Sequence, residues 1–343
     1  MASYEPLVCE YRGELLDLTH MGYFCMVDER SQVICAVGSP EETVYYRSAS
    51  KPIQALPVIA MGLDREYGIT EEESVIFAGS HAGEPFHVRA LESIFEKAGF
   101  KEEQLIMHPA CPAEKNAYLD WVRSGQEKRK FYHNCAGKHA ALMLGQRALG
   151  GRLEEYWQTD ARIEQEVRRT IAVLSETAPE QVGIGVDGCG VPVFAVAMRQ
   201  IAAAFKNLAY PEAIKDDRLA QAAAKFVPRI HRYPHMMRGT GYLCSRINED
   251  ANLVGKGGAN AVYGLGLKKE RIGIAIKAAD GCEEVWPFVI AAALRRIGYP
   301  NEETLSMLDG LHGADIRNDN DLVVGHWEMS EAFDSAVKAG KAR

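Results

Sequence analysis

Strand signals stand at both ends of this chain and helical periodicity fills the middle, an order that restricts the fold more than any single motif. "LVCEYRG", "YFCMVDE" and "SQVICAVG" are short and rich in β-branched and aromatic residues, and the last two flank the polar turn "DERS". "RIGIAIKAAD" near 272–280 and "DLVVGHWEM" near 321–329 repeat the pattern at the far end. Between them, "FHVRALESIFEKAGF", "GKHAALMLGQRALG", "ARIEQEVRRTIAVLSET" and "VFAVAMRQIAAAFKNLA" place apolar residues at a helical period. "CEEVWPFVIAAALRRIG" predicts one more helix from about Glu283. An α+β fold is expected: an antiparallel sheet built from both termini, flanked by helices, with a helical lobe inserted between the halves. No Pro-, Gly- or Ser-rich linker and no repeat divides the chain, so one unit is expected over 1–343. Its sheet body spans approximately 1–82 and 232–343, and its lobe approximately 83–231.

The net charge of -8, with no basic run, argues against a nucleic-acid surface. The first twenty residues carry acids and no apolar h-region, and no apolar stretch is long enough to span a bilayer. A soluble, cytoplasmic protein without a signal peptide is therefore expected. Cysteines at 9, 25, 35, 111, 135, 189, 244 and 282 form no C-x-x-C pair, so most read as small buried side chains in a reducing compartment.

Two constellations carry chemistry. In "TVYYRSASKPIQALP", Ser48 and Lys51 share a helical face if the segment is helical, and a lysine made neutral by burial can activate a serine. The plainer alternative is Ser50 as an N-cap, Lys51 solvated and Pro52 in the first turn. Pro52 also biases Lys51 away from the α region. "SVIFAGSHAGEPFH" offers Ser80 in a glycine-flanked turn, where it could face a cleft or cap a helix from about Pro85. "NLVGKGGANAVYGLGL" places Lys256 beside glycines that admit close approach of a ligand, the plainer alternative being a flexible glycine loop carrying a solvated lysine. An early S-x-x-K, a second serine and a late K-x-G on a strand match the three-motif layout of penicillin-binding proteins and serine β-lactamases.

The second constellation joins "HNCAGKHAALM" to "GVDGCGVPVF". Cys135, Lys138 and His139 fall on one face of a helix beginning near Ala136, and Asp187 to Gly190 read as a glycine-rich turn leading into the next helix. Spacing alone selects Cys135, His139, Cys189 and Asp187 as zinc ligands, because imidazole is a commoner ligand than an amine. The alternative is two buried cysteines beside a capped helix.

With "RSASKPIQALP", "GSHAGEP", "NCAGKHAALM", "DGCGVP" and "MMRGTGYLC" together, the chain resembles the rhizobial-type, or class 3, L-asparaginases from about Glu10 to Trp327. The resemblance implies a serine β-lactamase-like fold, a homodimer and hydrolysis of L-asparagine to aspartate and ammonia. It implies Ser48 as nucleophile with Lys51, and Ser80 with Lys256 as a second serine–lysine pair. It also implies one zinc on Cys135, Lys138 and Cys189 with Asp187 close by, against the spacing-based choice of His139. His139, Arg47 and Asp187 then become candidates for holding substrate, although Arg47 could equally be a salt-bridge residue. At Asn260 this chain departs from the glutamate that the family often carries. Rival readings are a glutaminase, peptidase or β-lactamase on the same fold, a zinc-dependent amidohydrolase or deaminase, and a non-catalytic zinc-stabilised binding protein.

Overall fold

The structure, a computed structural model, describes residues 4–340. The N-terminal part supplies β1 (Glu5–Arg12), β2 (Leu15–Val27), β3 (Val33–Val37) and the short β4 (Thr43–Tyr45). The middle supplies β5 (Gly183–Val186) and β6 (Pro192–Ala197). The remainder follows as β7 (Leu253–Gly258), β8 (Val262–Leu267), β9 (Ile272–Ala278), β10 (Asp315–Arg317) and β11 (Val323–Met329).

The main sheet runs β10-β11-β1-β2-β9-β8-β7, with β3 also on β2, and all its pairings are antiparallel. Cys9 of β1 faces Thr19 on one side and Glu328 on the other, so strands from the two chain ends are neighbours. The expected sheet from both termini is the one that forms. Alternation along β2 divides the interior: Tyr23, Cys25 and Val27 join one buried cluster, while Phe24 and Met26 join the other.

On the Phe24 side, helices Val285–Ile297 and Glu302–Leu311 bury Val289, Ile290, Leu294 and Leu308. On the Tyr23 side, helix Met198–Ala209 lies across β2, β8 and β9. Glycine is required under that helix. A Cβ at Gly264 would sit 2.0 Å from the Phe205 ring, and one at Gly273 would sit 1.9 Å from the Ala202 carbonyl oxygen.

The remaining helices pack around Lys51–Met61, which is buried from Lys51 to Ile59. Helices Ala136–Ala148, Arg162–Leu174 and Asp217–Arg232 surround it, as an almost wholly apolar helix demands. It ends at Gly62, whose φ of 73° is the left-handed cap that glycine adopts without strain.

One helical expectation fails. "VFAVA" is strand β6 and the helix starts only at Met198. β4 and β5 both pair with β6, and Pro192 sits at its first position, where a missing N–H does least harm. Tertiary pairing overrides a local apolar period that fits either structure.

Candidate active site

Ser48 sits in a 3-10 turn, Arg47–Ser50, between β4 and the buried helix. The turn is entered through Arg47 at φ 49°, an uncommon conformation for a residue with a side chain. Ser50 does not cap with its hydroxyl: it donates to the Arg47 carbonyl at 2.9 Å and accepts from Gln54 Nε2 at 2.8 Å. Despite Pro52, Lys51 adopts φ -55° and ψ -40° and enters the helix. A proline in the first turn has no intrahelical bond to lose.

The lysine amine goes to Ser80. Lys51 Nζ donates to Ser80 Oγ at 2.9 Å and to the Asn134 carbonyl at 3.0 Å. Lys256, on β7, donates to the same Ser80 Oγ at 3.0 Å and to the Gly257 carbonyl at 2.7 Å. One buried hydroxyl is thus clamped between two buried amines. Ser48 contributes no hydrogen bond to the clamp, but it lines a cavity of about 130 Å³ together with Ser80, Asn134 and Lys256. Gly258 also lines that cavity and packs on the Ser48 turn: a Cβ there would come within 2.9 Å of Ser48 N. Burial lowers both amines, Lys51 below its usual value and Lys256 to about 8; the Lys138 charge also lowers Lys51, and the Lys51 charge lowers Lys256.

Ser80 is held from behind by a segment far along the chain. Its N–H donates to the Met237 carbonyl at 2.8 Å, and Ala82 N–H donates to the Arg238 carbonyl at 2.8 Å. Glu84 accepts from Thr240 N at 2.7 Å and from Thr240 Oγ1 at 2.9 Å. "GSHAGEP" and "MMRGTGYLC" therefore form one stitched unit. Ser80 does not cap a helix; helix Pro85–Ala98 begins after Glu84.

Asn134 leads from this cavity to the thiol cluster. Cys135 precedes helix Ala136–Ala148 and its N–H donates to His133 Nδ1 at 3.1 Å. Cys189 is not at a helix start: Asp187–Gly190 connects β5 to β6, with Asp187 N–H donating to the Val191 carbonyl at 2.9 Å. A helix dipole therefore favours a thiolate only at Cys135. Lys138 Nζ donates to Cys189 Sγ at 3.2 Å, and all three side chains are buried. A hydrogen bond from Cys189 holds Cys135 well below the usual thiol range, helped by the Lys51 and Lys138 charges, while the same bond and burial push Cys189 up. Burial alone would lower Lys138, but Cys135 and Cys189 outweigh it and raise the amine.

Among the described residues no three His, Cys, Asp or Glu side chains converge as a metal would require, so a site here needs the lysine. Two sulfurs and one amine do converge, which fits the donor preferences of zinc once Lys138 gives up its proton. His139 stands apart from them. Its Nδ1 is 2.8 Å from the Tyr156 hydroxyl, and its Nε2 is buried without a partner among the described residues. Asp187 is engaged elsewhere, since Arg47 Nε and Nη2 reach its Oδ1 at 3.0 and 2.8 Å. Asn260 lies in the β7–β8 turn at φ 61°, a conformation asparagine tolerates better than most residues.

Arg238, Cys244, Glu283 and Trp286 also line the Ser48 cavity and have no role in the sequence reading. "MMRGTGYLC" contains the first two, but a single charge without a neighbour of defined spacing carries no chemical signal.

A hydroxyl held by two depressed amines beside a small polar cavity is an arrangement that can move a proton to and from an attacking oxygen. The family model described as L-asparaginase II matches residues 8–329, and the chain belongs to that family, a family of amidohydrolases. No curated protein sequence matches it. Similar solved structures include a beta-lactamase from Mycobacterium bovis, at TM-score 0.41 and 16% identity over 80% of this chain and 94% of that one. Another is Mglu in its native form, at TM-score 0.41 and 11% identity, covering 84% of this chain and 60% of Mglu. Likenesses this loose assign no activity.

Proposed function

We propose that the protein is an L-asparaginase that works through a serine acyl-enzyme. The observation that supports this best is the Ser80 hydroxyl held by Lys51 and Lys256 beside the cavity that Ser48 lines. Ser48 Oγ attacks the side-chain amide carbon and its proton passes to a neutral amine. Two nearby ammonium groups repel, so one lysine stays neutral while the other stays charged. A hydroxyl with one proton and two lone pairs can accept from the charged amine and donate to the neutral one, so Ser80 suits a relay between them. The Ser48 N–H stabilises the oxyanion, since the Ala49 N–H already donates to the Tyr46 carbonyl at 3.1 Å. The C–N bond breaks, the amide nitrogen takes a proton and leaves as ammonia, and a β-aspartyl ester remains. Water then cleaves the ester, giving aspartate and free Ser48.

Cys135, Lys138 and Cys189 would hold zinc, which supplies a fixed positive centre for orienting the substrate. Family resemblance adds His139, Arg47 and Asp187 as substrate contacts, although Arg47 and Asp187 already engage each other. Ammonia release from L-asparagine by the wild type and by Ser48→Ala, with and without a chelator, tests the reading. Normal turnover by Ser48→Ala would end the acyl-enzyme, and loss of kcat on chelation alone would favour a metal-hydroxide mechanism. Glutamine is assayed alongside, since one methylene separates it from asparagine. Family resemblance further supports a cytoplasmic homodimer, and light scattering of the purified protein reads its oligomeric state.

A further inference from the structure

The cavity at Ser48 does not end at the lysines. Arg238, Cys244, Glu283 and Trp286 form its outer wall, and the same residues line an adjoining space of about 290 Å³ with Tyr242 and Leu311. The two spaces make one cleft, narrow at Ser48 and wider outward.

Arg238 is fixed in that wall. Its Nη1 donates to the Ser80 carbonyl at 2.9 Å and its guanidinium lies 5.1 Å from the centre of the Tyr242 ring. Among the described residues it forms no ion pair, and a guanidinium has five N–H donors, so donors remain for a ligand. Glu283 stands at the rim, just ahead of helix Val285–Ile297, and its carboxylate likewise forms no ion pair or hydrogen bond among the described residues. Trp286, in the same wall, has its indole N–H buried without an acceptor among the described residues. The arginine that the sequence offered for a carboxylate, Arg47, is already matched by Asp187.

We propose that Arg238 and Glu283 select a free amino acid by its zwitterionic end, Arg238 taking the α-carboxylate and Glu283 the α-ammonium while the side-chain amide reaches Ser48. The assignment rests on the serine-hydrolase reading of this cleft. A free amino acid presents both charges on one carbon; an asparagine within a peptide presents neither. The pair therefore admits the free amino acid and rejects simple amides and internal peptide positions.

Ammonia release is measured for the wild type, Glu283→Gln and Arg238→Lys on three compounds: L-asparagine, succinamate, which lacks the α-amino group, and 3-aminopropanamide, which lacks the α-carboxylate. Glu283→Gln raises KM for asparagine about 10-fold, leaves kcat within about twofold and leaves KM for succinamate unchanged. Arg238→Lys raises KM for asparagine and succinamate together but not for 3-aminopropanamide. An unchanged KM for asparagine in Glu283→Gln, or an equal rise with succinamate, overturns the assignment. Arg238 touches the Ser80 carbonyl, so its variant is accepted only if its melting temperature matches the wild type; the rim variant stands without it. A wild type that releases no ammonia from asparagine sinks the asparaginase reading alone. In that case calorimetry with L-aspartate and succinate still decides: tighter binding of aspartate, lost in Glu283→Gln, upholds the pair, and equal affinities overturn it.

Discussion

Lys256 and Lys138 are both buried amines next to a polar side chain, yet their surroundings drive them in opposite directions. Around Lys256 the partners are a hydroxyl and a carbonyl, neither of which balances a charge, and burial brings the amine down to about 8. Around Lys138 stand two thiols, one of them ionised, and their charge outweighs the same burial. A lysine's chemistry is therefore decided by whether its neighbours can carry negative charge, not by how deeply it lies. The first environment leaves an amine that can take up a proton near neutral pH; the second makes an ion pair that a metal ion can replace by taking the place of the proton.

Removing the hydroxyl proposed to attack the substrate gives the largest expected effect: Ser48→Ala lowers kcat by about 10³-fold or more, read by ammonia release. Replacing a depressed amine with a permanent cation comes next. Lys256→Arg lowers kcat by about 10²- to 10⁴-fold, since guanidinium cannot accept the proton, while substrate binding to the inactive protein is retained. On the other side of the contrast, Cys135→Ser leaves the Lys138 ammonium buried without its thiolate. Metal-stripped Cys135→Ser loses about 3–5 kcal/mol in denaturant unfolding, and the loaded protein loses metal by elemental analysis while kcat falls far less than in Ser48→Ala.

The pH profile separates the two lysines further. Lys256 lies below its ordinary value, so kcat rises as pH climbs through about 8. Between there and the usual lysine range the unfolded chain holds a proton that the native protein lacks, so this group also adds to stability as pH rises. A flat rate across that interval would remove Lys256 as the base. The smallest effect is expected at the partly exposed Arg47–Asp187 pair, where Arg47→Gln costs under about 1 kcal/mol in thermal unfolding.

How much of this could be read from the residues follows from the range of each signal. β1, β2, β9 and β11 were legible because alternation is local to each strand. β6 was not, because "VFAVA" becomes a strand only when β4 and β5 flank it. The spacing of Ser48 and Lys51 placed the lysine near a serine, but the partner its amine meets is Ser80, brought in by a separate loop. Cys189 was read at a helix start because the turn glycines look the same before a helix or between strands. Arg238 and Glu283 had no local mark: their shared cleft exists only after "MMRGTGYLC" is stitched to "GSHAGEP".

The interleaving of chain ends in the main sheet has a consequence during synthesis. β1 and β2 leave the ribosome first, but their outer neighbours are β11 and β9. At about 5–20 residues per second the N-terminal hairpin waits on the order of tens of seconds for β9. Through that interval it presents two open strand edges and the apolar side chains Phe24 and Met26, the combination that recruits chaperones or neighbouring chains. Growth temperature and expression rate, which set how long that hairpin stays unpaired, should therefore govern the yield of folded enzyme more strongly than changes at the catalytic cleft.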